Sequence, residues 1–252
     1  MGASGLARAI CCAGSHAAVA ATLGARHSAD YADVANSKLV LIWGHNPAST
    51  GPHFMPFLRE AQKNGTYVVV VDPRRTLTAR SADEHIQPRP ATDAALALGL
   101  MHVIFSEGLH DEPWLEANSV GWRELRERAA EYPPERAAEI TGVPAETIIG
   151  LARRYATTKP ALLKTADGVQ RHQNGGQTFR ALHRRLCALG GHRRRPPHRV
   201  PAHPAGGEHE PPRRRADWRG QRPANQVAVR LLRQPCRLLA QRRSDRRGPQ
   251  AR

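Results

Sequence analysis

Two short stretches, GHNPAST (Gly44 to Thr50) and DPRRT (Asp72 to Thr76), each follow an apolar run and carry residue types suited to holding a nucleotide. Gly44 lets a ligand approach the backbone closely, Asn46 offers an amide donor and acceptor, and Pro47 fixes the turn. Asp72 can accept from a ribose hydroxyl or a guanine edge, with Arg74 or Arg75 near enough for phosphate. The same residue types favour plain turns, so either stretch alone is as well read as turn chemistry. Their coincidence at two successive strand ends favours a nucleotide cradle.

Other chemistries find no pattern. The four cysteines, Cys11, Cys12, Cys187 and Cys236, form no Cys-x-x-Cys pair and have no zinc spacing with His. GLHDE and ADEHI put acids beside His without metal spacing, and the chain contains no Gly-x-Ser-x-Gly elbow or Walker loop. Asp83 and His85 in ADEHI read as structural hydrogen-bonding residues. Cysteine usage leads us to expect a reduced, cytoplasmic protein. No signal peptide and no membrane span are expected, since no window approaches 18 uninterrupted apolar residues.

The elements that must position these loops follow from periodicity. LVLIW and TYVVVVD are short apolar runs of strand type, and PHFMPFLREAQKNG between them has helical spacing with a Gly stop. TDAALALGLMHVIFSEG predicts a helix with Thr92 as N-cap and Gly108 as stop. WRELRERAAEY, PPERAAEITG and PAETIIGLARRYATT predict three more helices, ALLKTADG a strand and GGQTFRAL a last helix. The expected fold class is α/β, an open, mostly parallel Rossmann-like sheet with helices on both faces. In such sheets ligands bind beyond the carboxyl ends of the strands, where both stretches lie.

Charge divides the chain. Residues 1–180 carry 19 Lys and Arg against 18 acids, whereas residues 181–252 carry 19 against 4; all 19 tail cations are Arg, and nine of the 20 prolines fall there. Such a tail cannot bury enough apolar surface to offset its ordering entropy and is expected to be disordered. Three regions result: 1–35 as a leading fragment, 36–182 as the α/β domain, and 183–252 as the basic tail.

With these residues in view, the chain resembles the molybdopterin oxidoreductases of the dimethyl sulfoxide reductase type, which include formate dehydrogenases and nitrate reductases. The carrying stretches are LVLIWGHNPAST, VVVVDPRRTLTARSADEHIQPRPATDAALALGLMHVI, ITGVPAETIIGLARRYA and GVQRHQNGG, in family order and spacing, within roughly residues 8 to 182. The resemblance implies bis(molybdopterin guanine dinucleotide) and molybdenum as cofactors. Gly44, Asn46 and Pro47 would line one pyranopterin guanine dinucleotide, with Gly168 at the head of GVQRHQNGG also against the cofactor. Asp72 and Arg74 would meet its guanosine end, and Thr92 with Asp93 the guanine pocket. Where the family usually has Gly, this chain has Ala91.

ARAICCAGSHAAVAATLGA resembles the segment that presents the molybdenum ligand in formate-dehydrogenase-like members. Cys11 takes that place as catalytic and metal-binding residue, with Cys12 the alternative register. A thiolate is a suitable soft ligand beside dithiolene sulfurs and must be deprotonated to bind. The family's iron-sulfur ligands have no counterpart before Cys11, so a partial, inactive chain is the expectation. The resemblance further implies a small-molecule substrate, formate-like before an oxyanion such as nitrate, and an electron-transfer partner. A different class of reading is a non-catalytic nucleotide-binding protein whose tail binds nucleic acid through phosphates.

The tail has its own reading. In a GC-rich gene, Ala, Gly and Val codons read one base out of register become Arg, Pro, His and Ala, which matches a Lys-free, Arg-rich tail. Shifted to the second base, VRLLRQPCRLLAQRR can read SVYCGNPAASSPNAG, and GHRRRP can read GTVGVP; both resemble family segments in the right order. The tail is therefore expected to lack specific nucleic-acid binding and to follow a frameshift near residues 181 to 189. Translating the coding DNA from residue 170 in all three frames checks this: an open shifted frame containing Gly-Asn-Pro is expected, and early stops would overturn it.

Overall fold

The computed structural model describes residues 12–23 and 30–186. The tail beyond Leu186, where both frame-shifted readings fall, and the leading residues that include Cys11 lie outside the described residues. Four parallel strands form the sheet: β1 (Leu39–Trp43), β2 (Tyr67–Val71), β3 (Glu84–Ile86) and β4 (Ala161–Thr165), in the order β3-β2-β1-β4. β1 is central and buried along its whole length. It pairs in register with both neighbours, Trp43 lying level with Val71 and with Thr165.

Alternation of side chains along each strand divides the core between two faces. Leu39, Leu41, Trp43, Val69 and Val71 join the larger cluster, which is built with α5 (Asp93–Ser106), α7 (Trp122–Ala130), α8 (Pro134–Thr141) and α9 (Ala145–Thr157). Val40, Ile42, Val68 and Val70 face the other way, onto Phe54, Met55, Leu58 and Ala61 of α3 (Phe54–Lys63). Helices thus cover both faces, as expected for strands that read as unbroken apolar runs. Pro56 is tolerated in α3 because it falls in the first turn, where its missing N–H has no intrahelical acceptor.

The predicted helices and strands form close to their expected bounds, and the structure adds short elements between them. These are α1 (Ala13–Leu23), 3-10 turns at Tyr31–Asn36 and Asp167–Gln170, α2 (Pro47–Thr50), α4 (Leu77–Arg80), β3 and α6 (Glu112–Asn118). The last helix, α10 (Gly175–Arg180), passes into a wider π-type turn at Ala181–Leu186 and packs against α1. α5 is apolar on nearly all sides because α7, α8 and α9 pack around it. Gly99 is what lets α8 come so close: a Cβ there would lie 2.7 Å from that of Ala137.

One expectation at α5 needs correction. Thr92 occupies the N-cap position, but its hydroxyl donates to the Arg89 carbonyl at 2.6 Å and makes no cap bond to the helix. The preceding Ala91 has φ +68°, a left-handed conformation that disfavours any Cβ. Ala91 is therefore strained at a position where the resemblance implied Gly. Ala91→Gly is expected to raise stability by up to about 1 kcal/mol, less the entropy glycine adds to the unfolded chain, measured by urea unfolding.

Candidate functional site

β2 and β4 flank β1 on opposite sides, so the loops leaving β1 and β4 meet at the point where strand order reverses. Gly44, with φ +57°, sits directly after β1. A side chain there would meet Val169 Cγ1 at 2.5 Å and the Val169 nitrogen at 3.1 Å; one on Gly168 would meet the Gly44 carbonyl at 2.5 Å. The close approach that both glycines permit is thus, first of all, of one loop to the other.

Asn46 is committed within the protein. Its Oδ1 accepts from the Thr78 hydroxyl at 2.7 Å and the Thr78 N–H at 3.4 Å, while its Nδ2 donates to Ser49 Oγ at 2.9 Å. Thr78 Oγ in turn accepts from the Ala48 N–H, so the turn after β1 is tied to α4. Pro47 is buried as the first residue of α2. Asp72 follows β2 and accepts from the Arg74 N–H at 2.8 Å, an arrangement that shapes DPRRT and leaves the Arg74 and Arg75 side chains exposed. His85 Nε2 donates to the Asp72 carbonyl at 2.9 Å, and Asp83 accepts from the Val68 N–H at 2.7 Å. Both residues of ADEHI therefore do the structural work expected of them.

Asp93 is buried at the start of α5, where its Oδ1 accepts from the Trp43 indole at 2.8 Å. Burial raises its pKa; the indole, its own backbone N–H and His172 act against that rise, and Asp72 adds to it. Asp93, Asp72 and His172 thus share one electrostatic neighbourhood although they leave three different elements. Trp43 was not among the sequence candidates. Its only sequence signal was a polar-tipped ring ending an otherwise aliphatic strand.

Two further groups went unnoticed in the sequence. His45, between Gly44 and Asn46, has a buried Nδ1 without a hydrogen-bond partner, and its pKa is pushed down to about 4 by burial first and Lys164 second, against Asp167. Lys164 interrupts the apolar run of β4, and burial lowers its pKa. A charged residue inside an otherwise apolar strand run was the available signal.

The start of α1 reaches this same edge. The Ser15 N–H donates to Gln170 Oε1 at 2.6 Å, its hydroxyl to the Cys12 carbonyl at 3.0 Å, and Gln170 Nε2 donates to Asp167 at 2.7 Å. Cys12 is a free, half-buried thiol immediately before α1. Cys11, the other register, lies outside the described residues. Among the described residues no group of three or more His, Cys, Asp and Glu is placed to hold a metal ion, and no helix is long and apolar enough to cross a membrane.

Two substitutions separate the roles at the Trp43 and Asp93 contact. Trp43→Phe leaves a buried carboxylate without its indole donor and is expected to cost about 1–3 kcal/mol. Asp93→Asn keeps an acceptor for the indole while removing the charge. Since the Asp93 pKa is raised by folding, the native state holds its proton longer than the unfolded state. Wild type should therefore lose stability relative to Asp93→Asn as pH rises above the ordinary carboxylate range, read by thermal unfolding at several pH values.

The chain is similar to known proteins across this region. Residues 6–199 match the family model described as molybdopterin oxidoreductase. The "Probable oxidoreductase YoaE" of Bacillus subtilis is 40% identical, over 72% of this chain and 27% of its own length. Formate dehydrogenase H of Escherichia coli is 36% identical, over 60% of this chain and 21% of its own. Among solved structures, acetylene hydratase from Pelobacter acetylenicus superposes with a TM-score of 0.62 at 35% identity, covering 71% of this chain and 24% of that one. This chain spans about a quarter of the length of these relatives. A match over most of the chain, on the sheet and loops just described, establishes that it belongs to the molybdopterin oxidoreductase family.

Proposed function

We propose that this chain is the part of a molybdenum oxidoreductase that grips one guanine dinucleotide arm of bis(molybdopterin guanine dinucleotide). The observation that carries the reading is the meeting of the Gly44 and Gly168 loops at the β1 and β4 switch point, with the Gly44 N–H bonded to the carbonyl of Val71, next to Asp72. The residues present fit such a group. A buried, unpartnered nitrogen of His45 sits in the same turn, and the exposed Arg74 and Arg75 follow the half-buried Asp72.

In this reading Gly44, Asn46, Pro47 and Gly168 line the dinucleotide, Asp72 and Arg74 meet its guanosine end, and Thr92 and Asp93 border the guanine. Asp93 acts there through Trp43 as much as through any ligand, because its Oδ1 is already held. Cys11 supplies the thiolate to molybdenum, or Cys12 in the other register. When bound, the group supplies two-electron chemistry at the metal; the protein holds, orients and electrostatically tunes it. A formate-like substrate comes first and an oxyanion second, since a cysteine ligand suits the former. An electron-transfer partner takes or gives the electrons, and the iron-sulfur cluster expected of the full-length family would lie in a further module. A reducing, cytoplasmic setting suits a thiolate ligand.

The test uses uncharged nucleosides, which the cationic tail does not attract. Guanosine should bind more tightly than adenosine in calorimetry, and Asp72→Ala should remove the preference. Equal binding of the two would overturn the reading. So would tight RNA binding retained by a chain ending at Arg180, which would favour the nucleotide-binding, nucleic-acid alternative.

A further inference from the structure

Lys164 and His45 stand apart from the loop contacts described above. The strand register sets Lys164 level with Ile42, and the alternation along β4 turns it toward the α3 face of the sheet, where Leu162 packs. Its ammonium lies 5.2 Å from the ring centre of Tyr31 and 5.4 Å from that of Phe54, the first residue of α3. Those rings meet edge to face at 5.4 Å and form an aromatic wall beside the cation. Among the described residues Lys164 takes part in no ion pair. His45 follows β1, and its Nε2 lies 3.8 Å from where a Cβ on Gly51 would stand, just ahead of α3; the Lys164 charge acts on this imidazole, whose Nδ1 is buried and unpartnered.

This is an unbalanced arrangement. A half-buried ammonium and a buried ring nitrogen share one corner, and the ammonium lies against the ring of Phe54, the first residue of α3. Asp167 is the acid that acts on His45; it accepts from Gln170 and, among the described residues, forms no ion pair with Lys164. A buried polar nitrogen without a partner costs free energy, and so does a desolvated cation without a counter-charge. An anion at this corner removes both costs: Lys164 supplies the charge, and a neutral imidazole donates one hydrogen bond through Nδ1.

We infer that Lys164 and His45 form an anion-binding point at the corner between β1, β4 and the start of α3, taking an oxyanion of the phosphate class. The anion could be the diphosphate of the dinucleotide or a free oxyanion. The first source rests on the cofactor reading given above, whereas binding of inorganic phosphate at this corner does not. Failure here would leave a guanosine preference intact, and loss of that preference would leave this point intact.

The measurement is a phosphate titration of the full chain with labelled histidine, following the imidazole resonance assigned to His45 by its loss in His45→Gln. The Arg-rich tail adds a nonspecific background equal in all variants, so the comparison between them reads the site. A saturable shift of the His45 signal is expected, weakened at least tenfold in Lys164→Gln and kept in Lys164→Arg, which preserves the charge. Guanosine diphosphate binding at least tenfold more tightly than phosphate would identify the diphosphate as the source; equal affinities would identify a free oxyanion. An unmoved His45 signal, or equal affinity in wild type and a folded Lys164→Gln, would overturn the proposal.

Discussion

The approach of the Gly44 loop to Gly168 and Val169 is the constraint on which the rest of the site depends. Two loops leaving adjacent parallel strands normally diverge, because each connection runs to a helix on a different face. Here the backbone of one touches the backbone of the other at distances that leave no room for a Cβ. Once they are joined, the carboxyl ends of β1 and β4 act as one platform. Asn46, His45 and Asp167 then take their positions from it, and the start of α1 docks through Ser15 and Gln170.

A second tie gives that platform its orientation relative to α5. The Trp43 indole reaches across the sheet edge to Asp93, joining the end of the central strand to the first turn of the most buried helix. A carboxylate in the first turn is favoured by the helix dipole, yet burial opposes its ionisation. The indole N–H acts against that penalty by hydrogen bonding rather than by charge pairing, although burial remains the larger effect. The acid thus serves as a fixed strut in the same electrostatic neighbourhood as Asp72 and His172.

The polar groups of this edge fall into two kinds. Asn46, Thr78, His85 and Asp83 are satisfied by the protein itself and fix the shapes of the turns. His45 Nδ1 has no such partner, and the half-buried Lys164 faces aromatic rings rather than an acid. Buried polar groups are nearly always paired, and the exceptions concentrate at sites completed by something else. That contrast separates the groups that shape the turns from those that the proposed anion would meet.

Much of this was legible in the chain itself, because helical and strand periods are carried by near neighbours. The long apolar runs identified β1, β2, β4 and the larger helices, and the Gly-His-Asn-Pro and Asp-Pro-Arg turns marked the edge where chemistry belongs. β3, with three residues, was too short to show an alternation, and α2 and α4 too short to show a helical face. Thr92 had the right residue type for a cap, but the local competition for its hydroxyl was won by the Arg89 carbonyl. Which strands neighbour β1 was decided only by tertiary structure, and with it every long-range partner: Trp43 with Asp93 fifty residues on, Ser15 with Gln170, Lys164 beside Tyr31 and Phe54. The physical reason is that a residue's type and spacing record which face it must bury, whereas the identity of the group it meets is set by strand order and by how closely two glycine loops can approach.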